Sequence, residues 1–441
     1  MPCNKHFYIS GVIAHRPYRN VKGVYACCNL GGYMMKASQR EGNIQNRGLT
    51  DTKYDRWLLV LGIVFIAAAL RAPFTSVGPL VQMIQDDLGL SNTLAGAITT
   101  LPLLAFAILS PFAPKLARRF GLANVLLIAM VMLAMGILIR SGSGTGLLFT
   151  GTAILGLSIA VCNVLLPGLI KGKFPHKIGL MTGVYTVSMN LCAAVASGIS
   201  VPLASHAGFG WRGTLAIWFM IAALATLFWI PQMRKLDQGT GAKGSISSGN
   251  MWRSSLAWKV TIFMGLQSLL YYVFIAWFSV LLGERGMSSS HAGWLLSLMQ
   301  MAQLPFTFFV PLWAGRMKNQ RILVIITAIL YFIGIGGIWL GSSALMAVWA
   351  ICFGIAGGFA FGLVMMFFSL RTRSTQEAAE LSGMAQSVGY VLAAMGPALF
   401  GWLHDVTNSW TLPLVLLLGA SVLLLVVGLG AGSDRYVGDR R

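Results

Sequence analysis

The sequence predicts an all-α integral membrane protein, with twelve transmembrane helices arranged as two pseudo-symmetric six-helix bundles. Three observations carry that prediction. Of the 441 residues, 56% are hydrophobic and only 10% charged, and the mean hydropathy is +0.74, a balance foreign to soluble domains. Apolar runs of about 20 residues, the length a helix needs to cross a hydrocarbon core, recur from Trp57 almost to the C-terminus. Strand-like alternation with regular turns is absent, so helices and not a closed barrel satisfy the backbone. The third observation is an internal duplication.

In chain order the spans fall near 57–80, 94–113, 121–140, 145–168, 178–203, 211–231, 257–282, 292–314, 321–340, 344–368, 380–402 and 410–430. Residues 1–56 are polar and basic, without the compact apolar core of a secretory signal, and are expected to form a disordered cytoplasmic extension. Met34 and Met35, just ahead of KASQREGNIQNRG, offer an alternative natural start. The first six spans form an N-terminal bundle over 57–231. A cytoplasmic linker follows over 232–256, centred on the Gly/Ser-rich LDQGTGAKGSISSGN. The C-terminal bundle covers 257–431, and 432–441 form a cytoplasmic tail.

The halves repeat each other. GLSNTLAG (89–96) after the first span answers GMSSSHAG (286–293) after the seventh, and Pro111 closing the second answers Pro311 closing the eighth. Thr182-Gly183 matches Ser382-Gly383, and Trp211 matches Trp410, all in the same order at offsets near 200. Such parallel duplication is the architecture of transporters whose halves rock about a site between them.

A net charge of +20 raises the possibility of a nucleic-acid partner, but its placement excludes one. Alternate short loops hold Lys115, Arg118 and Arg119; Lys171, Lys173 and Lys177; Arg234 and Lys235; Arg316, Lys318 and Arg321; Arg371 and Arg373. The intervening loops carry little beyond Arg140, Arg212 and Arg285. That asymmetry puts the basic loops and both termini in the cytoplasm, with the lipid bilayer as the partner surface. The cysteines give no disulfide framework and no metal-ligand spacing: Cys162, Cys192 and Cys352 fall inside spans, and Cys3, Cys27 and Cys28 in the extension. No motif implies a cofactor or metal.

Within AAALRAPFTSVGPL (67–80), Arg71 stands fourteen residues after Trp57, about 21 Å along a helix and past the middle of a roughly 30 Å core. Arginine stays charged in a protein, and its deep placement costs at least about 2.5 kcal/mol on insertion scales. Three readings stay open: contact with a negative group of the substrate, attachment of one bundle to the other, or a shifted span with an interfacial arginine. At the offset of the following loops its counterpart is Ser268, so the repeat itself does not require the charge. Pro73, Gly78 and Pro79 can loosen the helix and free carbonyls.

No Asp or Glu lies deep in a span: Asp86, Asp87, Glu284 and Asp405 fall at one set of loops, Glu377 and Glu380 at the other. Cation efflux and a carboxylate proton relay both lose their usual group, leaving uniport, antiport or coupling through the substrate. The uncharged polar groups of the spans include Tyr185, Gln303 and Tyr390. With Arg71, the candidate substrate-binding set is Thr75, Asn163, Asn190, Gln267, Tyr271, Gln300 and Gln386, each equally able to bond helix to helix. Phe74, Trp277 and Trp294 can stack on a solute or simply pack. His404-Asp405 is the one adjacent acid/base pair and has no nucleophile beside it, and G-x-x-x-x-G-K-S/T is absent. An enzyme and an ATP-driven pump are therefore excluded, and so is a sensor, for want of a soluble output domain outside the spans.

The loop PKLARRFG (114–121) resembles the signature G-x-L-A-D-R-x-G of the major facilitator superfamily: Leu116, Ala117, Arg119 and Gly121 match, Pro114 replaces the first glycine and Arg118 the acid. LRAPFTSVGPL (70–80), TTLPLLAFAILSP (99–111), NVLLPGLIKGKFP (163–175) and GFGWRG (208–213) are similar to the cyanate and nitroimidazole permease family within it, with SLRTRS (369–374) carrying the resemblance into the second half. The resemblance implies the major facilitator fold in a bacterial inner membrane, a monomer, and alternating access, with spans one, four, seven and ten around a cavity and three, six, nine and twelve outside. It implies a small substrate, cyanate-like or nitroimidazole-like. Efflux of neutral toxic compounds is the competing reading, to which the Met- and Phe-rich tenth span, with Met365, Met366, Phe367 and Phe368, leans.

Overall fold

The computed structural model describes residues 53–90, 92–236 and 251–438. The expected extension up to residue 52, the alternative start and the centre of the linker lie outside the described residues. Contacts divide the chain into a unit ending at Arg56, of which only a helical turn from Lys53 is described, and a unit Trp57–Arg441 that holds everything below.

Among the described residues the secondary structure is helical without strands. The first half comprises α1 (Lys53–Thr75), α2 (Val77–Leu88), α3 (Asn92–Leu109), α4 (Ala113–Phe120), α5 (Leu122–Arg140), α6 (Thr145–Lys173), α7 (Ile178–Ser205), α8 (Gly210–Ala216) and α9 (Phe219–Leu236). The second comprises α10 (Ser255–Glu284), α11 (Ser289–Arg316), α12 (Arg321–Leu340), α13 (Met346–Leu370), α14 (Thr375–Thr407) and α15 (Thr411–Ala431). Ten stretches are long and apolar enough to cross a bilayer, and α3 with α4, bent by 55°, makes an eleventh. The twelfth is α14, which runs for 33 residues and carries Gln386, Pro397 and His404 among its apolar positions.

Three spans differ from expectation for local reasons. The first span breaks after Thr75 and continues as α2 to Leu88. Pro79 has no N–H to give the Thr75 carbonyl four residues back; Ser197 of α7 donates its hydroxyl to that carbonyl instead, at 3.3 Å. The Thr75 hydroxyl donates to the carbonyls of Arg71 and Ala193, both at 3.1 Å, so the kink is tied to α7. The second span bends ahead of Pro114 and continues as α4. The eleventh starts five residues early because Ser374 caps it: its hydroxyl accepts from Glu377 N at 3.1 Å, while the Glu377 carboxylate accepts from Arg373 N at 2.7 Å.

α6 and α13, equivalent in the duplication, are the most enclosed spans, each with 83% of its apolar window buried; the figure for α7 is 22%. Large apolar side chains such as Ile108, Leu227, Leu340 and Val426 are exposed on the outer surface, as a hydrocarbon solvent allows. Three interfaces join the halves, α7 against α11, α14 against α3, α4 and α6, and α13 against α6 and α7.

The first two are built alike. Gly183 lies so close to α11 that a Cβ there would stand 2.7 Å from the Phe308 carbonyl oxygen, and Gly383 so close to α3 that its Cβ would stand 2.6 Å from the Ser110 oxygen. One turn further, Thr186 donates to the Thr307 carbonyl and Ser387 to the Ala107 carbonyl, both at 2.6 Å. These four contacts are related by the same offset of about 200 residues that relates the sequences.

Candidate functional site

Between the halves lies a cavity with about 400 Å³ of atom-free space, its opening included. Its end toward Lys115, Lys171 and Arg371 is sealed. There Lys171, at the end of α6, donates to Ser369 O and to the Thr372 hydroxyl at 2.8 Å each and to Thr372 O, all at the end of α13. The Ser369 hydroxyl returns a bond to Pro167 O at 3.3 Å. Arg371, the duplicate of Lys171, stays in its own half, bonding Ala431 O at 2.7 Å and the Gln320 amide oxygen. Burial pushes its guanidinium down to about 10, against the opposing pull of Asp434 and Tyr436, so it stays charged near neutrality.

The loop motif contributes to the same seal. Ala117 is buried and Leu116 packs on the core, whereas Arg119 is exposed and lies against the Phe120 ring at 5.3 Å. Gly121 takes φ 83°, which favours glycine. Arg118, standing where the superfamily signature has an acid, pairs at 3.6 Å with Glu380 of α14. An ion pair between the halves is therefore made with the acid on the opposite side. At the other end the described polar contacts stay within one half: Asp87 with Arg212 at 2.7 Å and Trp211 at 3.2 Å, and Glu284 with His404 at 3.0 Å. The conformer is closed at the basic end.

From the first half, Arg71 of α1 and Asn190 of α7 line the cavity. From the second come Met264, Gln267, Ser268, Tyr271 and Tyr272 of α10, Gln303 of α11, Gly357 and Phe361 of α13, and Tyr390 of α14. Arg71 is half-buried, fourteen residues from Trp57 and seventeen from Leu88, with its guanidinium carbon 6.0 Å from the centroid of Phe361. Among the described residues its guanidinium has neither a carboxylate nor a hydrogen-bond acceptor. The Asn190 amide nitrogen, buried, also finds no partner there. Opposite them, Gln267 donates to Ser268 Oγ at 2.6 Å and lies 3.4 Å from the Met264 sulfur. The cavity thus offers donors in excess of acceptors around one fixed positive charge, which suits a ligand rich in acceptors or negatively charged.

Four of the eight residues expected from sequence line this cavity: Arg71, Asn190, Gln267 and Tyr271. Gln300 stands one step away, its oxygen accepting from the Tyr271 hydroxyl at 3.4 Å. Thr75 is used at the kink. Asn163 and Gln386 are buried and bonded to protein: the Asn163 oxygen accepts from Tyr185 at 3.1 Å, and Gln386 donates to Asn163 O at 3.1 Å and Ser382 Oγ at 2.8 Å. They hold α6 against α14, which is why α6 contributes no cavity residue in this conformer while α7, α11 and α14 do. The three aromatic candidates are also elsewhere. Phe74 packs on Phe106, Trp277 donates to Pro397 O at 2.7 Å, and Trp294 is 71% exposed. Sequence reasoning missed Tyr272, Met264, Phe361 and Gly357; the i, i+4 pairs 264–268 and 357–361 are the signal that could have found most of them.

The Major Facilitator Superfamily profile matches residues 58–397. The chain belongs to that superfamily. Within it the chain is 48% identical over 386 residues to an uncharacterized transporter, YycB, of Bacillus subtilis (87% of this chain, 96% of the relative). It is 41% identical over 384 residues to the 2-nitroimidazole transporter of Escherichia coli (87% and 97%). It is 25% identical over 354 residues to the cyanate transport protein CynX of the same organism (80% and 91%). These relatives place it in the cyanate and nitroimidazole permease family. In fold it is similar to the solved proton:xylose symporter XylE, with a TM-score of 0.68 at 14% identity, covering 87% of this chain and 97% of the other. As a superfamily member the chain is a multi-pass membrane transporter of small molecules and not an enzyme.

Proposed function

We propose that this transporter carries a small, planar, anionic or acceptor-rich solute, of the cyanate or nitroimidazole kind, by alternating access, with Arg71 pairing the solute's negative group. The observation that carries the reading is a guanidinium unpaired among the described residues, in a cavity whose described lining includes no carboxylate. Relatives named for 2-nitroimidazole and cyanate support the same solute class. The Met- and Phe-rich stretch that leaned toward drug efflux gives that alternative no support: Met365, Met366, Phe367 and Phe368 are buried among helices away from the cavity. Asn190, Gln267 and Tyr271, with Ser268, orient the solute against Arg71. The bundles 57–231 and 257–431 act as the two rocking bodies of a monomer in a bacterial inner membrane, with the basic end and both termini in the cytoplasm, as the loop charges argue.

The experiment is uptake of cyanate and of 2-nitroimidazole into proteoliposomes containing the wild-type chain or Arg71→Ala. The variant is expected to fold and insert yet lose uptake; wild-type affinity in the variant rejects the role of Arg71.

A further inference from the structure

The unpaired Arg71 bears on coupling. We infer that the protein is an obligate anion exchanger: the loaded carrier reorients, and the empty carrier does not. The inference rests on the proposal that Arg71 binds the solute's negative group, and adds to it what happens when no solute is present.

In the conformer described, Arg71 is half-buried and its guanidinium lines a cavity whose basic end is closed by contacts between the halves. Alternating access requires that the second end also close before the first one opens, and in that occluded state the cavity is cut off from bulk water. A guanidinium sealed there without a counter-charge loses hydration that only an anion can replace, because arginine cannot be neutralised by losing its proton. The described residues hold no substitute. The ion pairs described all lie at the two ends, at Arg118–Glu380, Arg212–Asp87 and His404 with Glu284 and Asp405. None of the acidic residues placed along the described spans lines the cavity, and the ring that the Arg71 guanidinium lies over, Phe361, stands at 6.0 Å, the outer limit of a cation–π contact. The duplicated position on α10 is Ser268, so the second half brings no charge that could pair with Arg71 as the halves close.

The charge balance gives the exchange its stoichiometry. One monoanion brings the site to zero net charge, so monoanion-for-monoanion exchange moves no net charge through the occluded state. A dianion leaves the site at minus one and meets the same dehydration obstacle from the opposite sign.

The test uses the full chain in proteoliposomes at pH 8, in potassium gluconate without chloride, which could itself serve as the counter-anion. Labelled cyanate is loaded inside, and its efflux is followed into medium with or without unlabelled cyanate. The inference expects external cyanate to speed efflux at least about 100-fold, and a valinomycin-clamped potential to leave the exchange unchanged. Net efflux as fast as exchange overturns it, as does exchange driven by the potential. Binding of cyanate to purified wild type and Arg71→Gln, read by thermal shift, separates the two levels. Equal shifts in both, or none in either, overturn the proposed role of Arg71 and the inference together. A shift lost in Arg71→Gln alongside fast net efflux from wild type leaves the binding role standing and removes only the exchange. A shift in wild type with no exchange above protein-free vesicles removes the exchange as well.

Discussion

The two halves of the transporter agree at their mutual interface and disagree at the cavity. Gly183 with Thr186 on α7 and Gly383 with Ser387 on α14 make the same pair of contacts to the opposite half, a close backbone approach followed one turn later by a hydroxyl bond of 2.6 Å. At the cavity the equivalence ends: α1 presents Arg71, and α10 presents Ser268 flanked by Gln267, Tyr271 and Tyr272. The lesson is a division of labour. Parts that let the bundles move must suit both halves and keep the symmetry of the duplication, whereas the solute proposed above has no such symmetry and, on that proposal, is met by one charge on one side. The two gate cations fall between these cases, since Lys171 crosses to the other half and its duplicate Arg371 does not.

Substitutions can break this comparison at either place. The largest effect is expected at the asymmetric charge: Arg71→Gln should weaken binding of a small anion by about 2–5 kcal/mol, some 30-fold or more, by titration calorimetry, because truncating one partner of a buried ion pair costs that much. Gly183→Val and Gly383→Val should come next. Each forces a side chain against a backbone carbonyl and should disfavour closure of the basic end by about 1–3 kcal/mol. Spin-label distances between the ends of α6 and α13 would report it, and unequal shifts for the two variants would weaken the claim of equivalent interfaces. Lys171→Met removes three bonds from a partly solvated ammonium and should open the same end by about 1–2 kcal/mol, whereas an equally large opening from Arg371→Met would erase the difference between the gate cations. The smallest effects belong to Thr186→Ala and Ser387→Ala, about 0.6 kcal/mol each, the usual worth of an interhelical bond in a membrane. They should match each other in the same distance measurement.

Much of the fold was legible because the bilayer imposes it: apolar runs, loop charges and the repeat gave the spans and their pairing. The first span's kink was legible in Pro73 and Pro79, although its exact place depended on Ser197, 122 residues from Thr75. The start of α14 was not, because hydropathy discounts TQEAAE while Ser374 and Glu377 cap the helix through hydrogen bonds. Of the site, Arg71 was legible because a lone charge in a span needs a reason. The amides were not separable from sequence, since Asn163 accepts from Tyr185 and Gln386 donates across the interface to the Asn163 carbonyl, while the Asn190 amide nitrogen stays unpaired beside the cavity. Tyr272 was hidden by its neighbour Tyr271, because adjacent residues on a helix stand about 100° apart and whether both reach the cavity depends on how α10 is rotated.

The most direct test of the central claim, that one unpaired arginine on one half gives this carrier its solute, is the affinity of the purified protein for cyanate in wild type, Arg71→Lys and Arg71→Gln, measured side by side. A retained positive charge should keep part of the affinity in Arg71→Lys, and Arg71→Gln should fall by 30-fold or more. Equal affinity in all three proteins would contradict it.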